Sequence, residues 1–105
     1  MKGEIMLLPD ELKKDRYWSG ALHIFANHSK LKLYINQFID FEELSLDVDG
    51  FERISRSWSP ADKFMLRLAL HLFNGQSAID LSLMDRLDSN NKKLAFKAIQ
   101  LRFAG

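Results

Sequence analysis

Ser59-Pro60-Ala61-Asp62-Lys63-Phe64-Met65-Leu66-Arg67-Leu68-Ala69-Leu70-His71-Leu72-Phe73-Asn74-Gly75 is the stretch from which the fold is read. Ser59 can accept from first-turn amides, Pro60 has the fixed φ and missing N–H that suit a first helical position, and Asp62 answers the positive end of the helix dipole. Asn74-Gly75 supplies the left-handed residue that ends many helices. Between these signals Lys63, Arg67, His71 and Asn74 fall three or four apart on one narrow stripe, and the rest of Phe64 to Phe73 is apolar. A helix apolar on most of its circumference must be covered on most of its circumference. The expectation is a mainly α fold: a compact helical bundle in one domain, residues 1–105, around a central buried helix from Pro60 to Phe73.

Working toward the N-terminus, Asp40 to Glu52 is the least helical stretch. Leu44-Ser45-Leu46-Asp47-Val48 alternates apolar and polar residues ahead of Asp49-Gly50, a dipeptide favoured in hairpin turns, so one small hairpin is expected near residues 44–54, returning through Gly50 to Ile54. Ser29 can cap a helix carrying Leu31, Leu33, Tyr34, Ile35, Phe38 and Ile39, although this β-branched and aromatic content also suits a strand. Tyr17, Trp18, Ala21, Leu22 and Phe25 recur at helical spacing behind Asp15, which predicts a capped helix from Arg16 to Phe25 with Arg16, Gly20, His23 and Asn27 on its polar side. Pro9-Asp10-Glu11-Leu12 has the makings of a further first turn.

Working toward the C-terminus, Asp80 can cap a short helix from Leu81 to Leu87, and Asp88-Ser89-Asn90 breaks and recaps the chain. A last helix then runs to about Phe103, with Leu94, Ala95, Ala98, Ile99 and Leu101 facing the core and Lys93, Lys97 and Gln100 facing water. No internal repeat or low-complexity tract occurs.

Composition narrows the classes. The 105 residues are 47% hydrophobic and 28% charged, which is ample for a packed core and far from a disordered composition. With no cysteine there is no disulfide, thiolate metal site or thiol nucleophile, so the cytoplasm is the expected compartment. No apolar run approaches the roughly 20 residues of a membrane span, and Ile5 to Leu8 is too short for an export signal. The net charge of +1 is too small to commit the chain to nucleic acid.

Catalytic motifs fail on spacing. His23, His28 and His71 do not stand at metal-ligand intervals. Ser45 to Gly50 resembles the middle of a calcium loop, but if Gly50 were its invariant glycine, the closing acid would fall on Arg56. The acid pairs Glu42 and Glu43, and Asp47 and Asp49, read as solvated surface. No nucleophile elbow, Ser-x-x-Lys pair or glycine-rich phosphate loop is present. Enzymatic activity is not expected, and no cofactor, metal or small-molecule ligand is indicated.

The feature with functional pull is the C-terminal pair of helices. A short helix, a polar turn and a helix bearing Lys92, Lys93, Lys97 and Arg102 have the outline of a helix-turn-helix over residues 80–103, whose cations would meet phosphates. Against this, Asp80, Asp85 and Asp88 would lie close to the same phosphates. The acidic run from Asp40 to Glu52 offers the opposite charge and a hint of association.

Taken together, Ser57 to Lys63, Leu66 to Gly75, Leu87-Asp88 and Ala98 to Phe103 resemble a family of small uncharacterised helical proteins from Gram-positive bacteria and their prophages and other mobile elements. The likeness covers Trp58 to Phe103, and more faintly Tyr17 to Phe41. It implies a helical fold and a bacterial or prophage cytoplasm, and transfers no catalytic residue. The leading expectation is a non-enzymatic accessory protein that binds another protein or itself, with a small DNA-binding protein as the alternative.

Overall fold

Asp15 accepts hydrogen bonds from the N–H groups of Tyr17 (2.8 Å) and Trp18 (3.2 Å), and this cap starts helix α1, Arg16–Asn27. The computed structural model describes residues 14–75 and 77–104, so the expected turn at Pro9 to Leu12 lies outside the described residues. After α1 come a 3₁₀ turn (Leu31–Tyr34), the one-turn helix α2 (Ile35–Phe38), strands β1 (Ile39–Asp40) and β2 (Ser45–Leu46), and helix α3 (Val48–Ile54). A 3₁₀ turn (Ser55–Ser57), α4 (Pro60–Asn74), a second 3₁₀ stretch (Leu81–Arg86) and α5 (Ser89–Phe103) complete the chain.

The long helices start where their caps stand. Ser59 Oγ accepts from Asp62 N–H (3.2 Å), Asp88 accepts from Asn91 N–H (2.8 Å), and α4 ends on Gly75 with φ at 71°. α4 buries Phe64, Met65, Leu66, Leu68, Ala69, Leu70 and Leu72, as its apolar circumference requires. Lys63 and Arg67 are exposed, while His71 and Asn74 are half covered by the link that follows. His71 donates from Nδ1 to the Ser77 carbonyl (2.9 Å), and Asn74 Oδ1 accepts from Ser77 N–H (3.2 Å).

α1 shares the centre with α4. Both α4 and α5 pack chiefly on α1 and less on each other. Trp18 meets Phe73 edge-on (4.7 Å) and His28 meets Asp62, so α1 and α4 run antiparallel. Gly20 faces Ala98, Tyr17 lies under Arg102 and Asn27 lines a groove with Asn90, so α1 and α5 also run antiparallel. Gly20 is therefore not on a solvent stripe as spacing implied; it is buried, and a Cβ there would stand 2.7 Å from the Ala98 carbonyl oxygen. The reason is non-local: α5 brings its backbone against α1 through the small residues Ala95 and Ala98, both wholly buried.

The middle of the chain departs most from expectation. The two-stranded antiparallel pair exists, but it joins Ile39 to Leu46 and Asp40 to Ser45, and the segment expected to return through Gly50 to Ile54 is helix α3. Asp47 explains the change, because its Oδ1 accepts from Gly50 N–H (2.9 Å) and caps a helix at Val48. That helix turns Phe51 inward, where its ring meets Phe25 at 5.1 Å and Phe38 at 4.9 Å. Gly50 lets α3 come this close, since a Cβ would lie 2.7 Å from the Phe38 ring. The helix expected behind Ser29 is likewise broken into the 3₁₀ turn, α2 and β1, with Leu33 left 72% exposed.

Two substitutions separate burial from propensity. Leu68→Ala should lower stability by about 2–5 kcal/mol in urea titrations, whereas Leu33→Ala should stay within about 0.5 kcal/mol. Gly20→Ala should destabilise by about 1–3 kcal/mol through overpacking against backbone, even though helix propensity alone favours alanine by roughly 1 kcal/mol. A stabilised Gly20→Ala protein would contradict the close approach.

Candidate interaction surface

Two of the three histidines, His28 and His71, tie the fold together through their rings. His28, only 3% exposed, accepts at Nδ1 from the N–H groups of Lys30 (3.2 Å) and Leu31 (3.3 Å), so it does the capping expected of Ser29. Its Nε2 lies 3.3 Å from Asp62 Oδ1, in the first turn of α4. Because a carboxylate only accepts, the proton sits on Nε2, and both ring nitrogens are engaged. This His–Asp pair, beside a recess lined by Asn27, Ser29, Asp88 and Asn91, has the outline of a catalytic dyad, but the Nδ1 lone pair of His28 already accepts from two backbone amides. His23, half buried, lies against Lys97, while Asn27 Nδ2 donates to the His23 carbonyl (2.8 Å).

Burial pushes the His28 pKa below its usual value of 6.5, with Asp62 and Asp88 opposing that shift and Lys30 adding to it. Burial and then Lys97 push His23 down as well.

Four cations and no acid lie on α5, but they do not form one face. Lys93 and Lys97 line a shallow groove against α1 with His23, Asn27, Asn90 and Leu94. Lys92 stands about 100° round the helix from Lys93, and Arg102 about 180° from it, at roughly 100° per residue. The Arg102 guanidinium is stacked over the Tyr17 ring (4.3 Å) and near the Phe103 ring (4.6 Å), pinning the end of α5 to the start of α1. Beside Tyr17, Arg16 donates to its hydroxyl (3.1 Å); that hydrogen bond, with the charges of Arg16 and Arg102, lowers the phenol pKa. The element before α5 is a six-residue 3₁₀ stretch with Leu81 and Leu83 exposed, shorter than the first helix expected of a helix-turn-helix.

What α5 turns outward is aromatic. Phe96 is 62% and Phe103 65% exposed; seven residues apart, they share one side of the helix with Lys92, Lys93 and Gln100. The core side is Ala95 and Ala98, with Leu94, Ile99 and Leu101 partly covered. Sequence spacing carried the signal for Phe96: it stands two residues from both Leu94 and Ala98, which puts it on the opposite side.

The opposite charge lies on the β1–β2 turn. Asp40 Oδ1 accepts from the N–H groups of Glu42 (2.9 Å) and Glu43 (3.0 Å), and Leu44, 51% exposed, takes a left-handed φ of 54°. Asn36, Gln37, Phe38, Phe41, Glu42 and Leu46 are among the residues that line an open recess of about 660 Å³ under this turn. Glu52 pairs loosely with Arg67 (3.7 Å), whereas Glu42, Glu43 and Asp49 make no ion pair among the described residues.

Among the described residues, no helix is long and apolar enough to cross a membrane. Comparisons of the chain with protein-family models, curated proteins and solved structures return no match.

The histidines set a pH dependence with a definite sign. With folded-state pKa values below 6.5, the unfolded chain binds protons more readily, so stability is complete above about pH 6.5 and falls as pH drops below it. Urea midpoints measured from pH 8 to pH 5 should decline in that window, and His28→Gln should flatten the slope. A midpoint that rises on acidification would contradict the buried neutral imidazole.

Proposed function

We propose that this protein is a non-enzymatic accessory domain acting in the cytoplasm by binding another protein or a second copy of itself, and that the outer side of α5 is the surface it uses. The observation that carries the reading is the pair Phe96 and Phe103, about two-thirds exposed on one side of a helix whose other side is already packed. Large aromatic side chains bring much apolar area at small conformational cost, which is why they anchor interfaces. Lysines beside them would orient an acidic partner and speed its encounter. The resemblance of Trp58 to Phe103 to small proteins of Gram-positive bacteria and their mobile elements adds no activity to this reading.

A second reading, contact with DNA phosphates, is favoured by the four cations and missing acids of Ser89 to Phe103. It is weakened by Arg102 lying on Tyr17.

The double variant Phe96→Ser, Phe103→Ser tests the main reading. Both side chains are exposed, so its stability should stay within about 0.5 kcal/mol of the parent's, while association in cross-linking and sedimentation should be lost. A variant that associates as tightly as the parent would overturn it. For the DNA reading, a gel shift at low salt should show weaker binding by the Lys92→Ala, Lys93→Ala, Lys97→Ala protein. Equal binding by parent and variant, or none by either, removes that reading.

A further inference from the structure

The open recess under the β1–β2 turn and the outer side of α5 are opposite in charge. The recess has the half-buried Phe41 and Leu46 set among polar residues such as Asn36, Gln37 and Ser45, with Glu42 in its lining; Glu43 is the next residue of the turn. The face of α5 is convex, with Phe96 and Phe103 bordered by Lys92 and Lys93. Among the described residues neither set of charges is met by an ion pair: Glu42, Glu43, Lys92 and Lys93 all lack one. The two surfaces also approach the same end of α1: the Phe41 ring lies 6.4 Å from the Trp18 ring, and Arg102, next to Phe103, lies on Tyr17.

We infer that the partner of the α5 face is a second copy of this chain, whose turn recess receives Phe96 and Phe103 while Glu42 and Glu43 meet Lys92 and Lys93. This rests on the proposed role of α5 as a binding face and names its occupant. A helix laid into a groove is a common recognition mode, and here each copy carries both halves. About a two-fold axis the contact is made twice, which doubles the buried area and closes the assembly as a dimer. Salt should loosen it, because the Debye length falls from about 10 Å at 0.1 M to about 3 Å at 1 M.

Charge reversal tests the inference on the intact chain by sedimentation over a concentration series. The parent should dimerise and dissociate more readily at 1 M salt. Glu42→Lys with Glu43→Lys, and separately Lys92→Glu with Lys93→Glu, should each weaken self-association by at least about tenfold. Mixed in equal amounts, the two reversed proteins should form a heterodimer, because each basic surface then meets an acidic one. Circular dichroism shows whether each variant keeps the parent's helix. A monomeric parent whose reversed variants also fail to pair overturns the inference, as does a dimer indifferent to both reversals. Two further probes separate this failure from that of the α5 reading. If the monomeric parent binds an acidic amphipathic helical peptide through Phe96, the second copy is the wrong occupant and α5 remains a protein-binding face. If it binds only duplex DNA or vesicles of anionic lipid, or none of these probes, both readings fall.

Discussion

The close approach of α1 to α5 at Gly20 is the constraint on which the remaining architecture depends. With hydrogen in place of a side chain, α1 can lie against the backbone of α5 while its other sides press Trp18, Leu22 and Phe25 into the interior with α3 and α4. α1 is thereby held between two helices, and its burial follows from that position. The same contact decides what α5 exposes. Because only small residues fit at the closest approach to α1, Ala95 and Ala98 face inward and the bulk of Phe96 and Phe103 is left on the far side. A packing requirement in the core and an aromatic surface outside it are two consequences of one helix register.

Elements whose signals are local were legible in the sequence. Ser59, Asp15, Asp80 and Asp88 each cap the element they stand before, and Gly75 ends α4 in the left-handed conformation. The apolar circumference of α4 was legible too, because burial of so wide a surface leaves few alternatives. Residues 29–54 were legible only in part: the small antiparallel pair was expected, but its partner strand and α3 were not, since their conformation is decided by partners far away in sequence. The alternation from Leu44 to Val48 and the Asp49-Gly50 dipeptide fit a hairpin, but the three rings of Phe25, Phe38 and Phe51 meet only when Val48–Ile54 is helical. The capping role of His28 is not legible in the sequence, because it needs both Lys30 and Leu31 amides on one side and Asp62 of α4 on the other. Gly20 fell on the polar stripe of its own helix, and only the neighbour makes it a contact point.

The candidate surface was half legible for a similar reason. Sequence supplies the lysines and the exposed side of Phe96, but not the direction of Arg102, which depends on Tyr17 of another helix. The acidic run from Asp40 to Glu52 was visible as composition. Its division into residues that cap or turn the chain (Asp40, Asp47) and residues with unmet charge (Glu42, Glu43) required the fold.

Native-state hydrogen exchange, read amide by amide, tests most directly the claim that α1 is clamped between α4 and α5. The account predicts that the interior amides of α1 exchange as slowly as those of α4, opening with them in one cooperative step. Fast exchange throughout α1 while α4 stays protected would show that the first helix is not held where the packing places it, and would contradict the architecture and the exposed face derived from it.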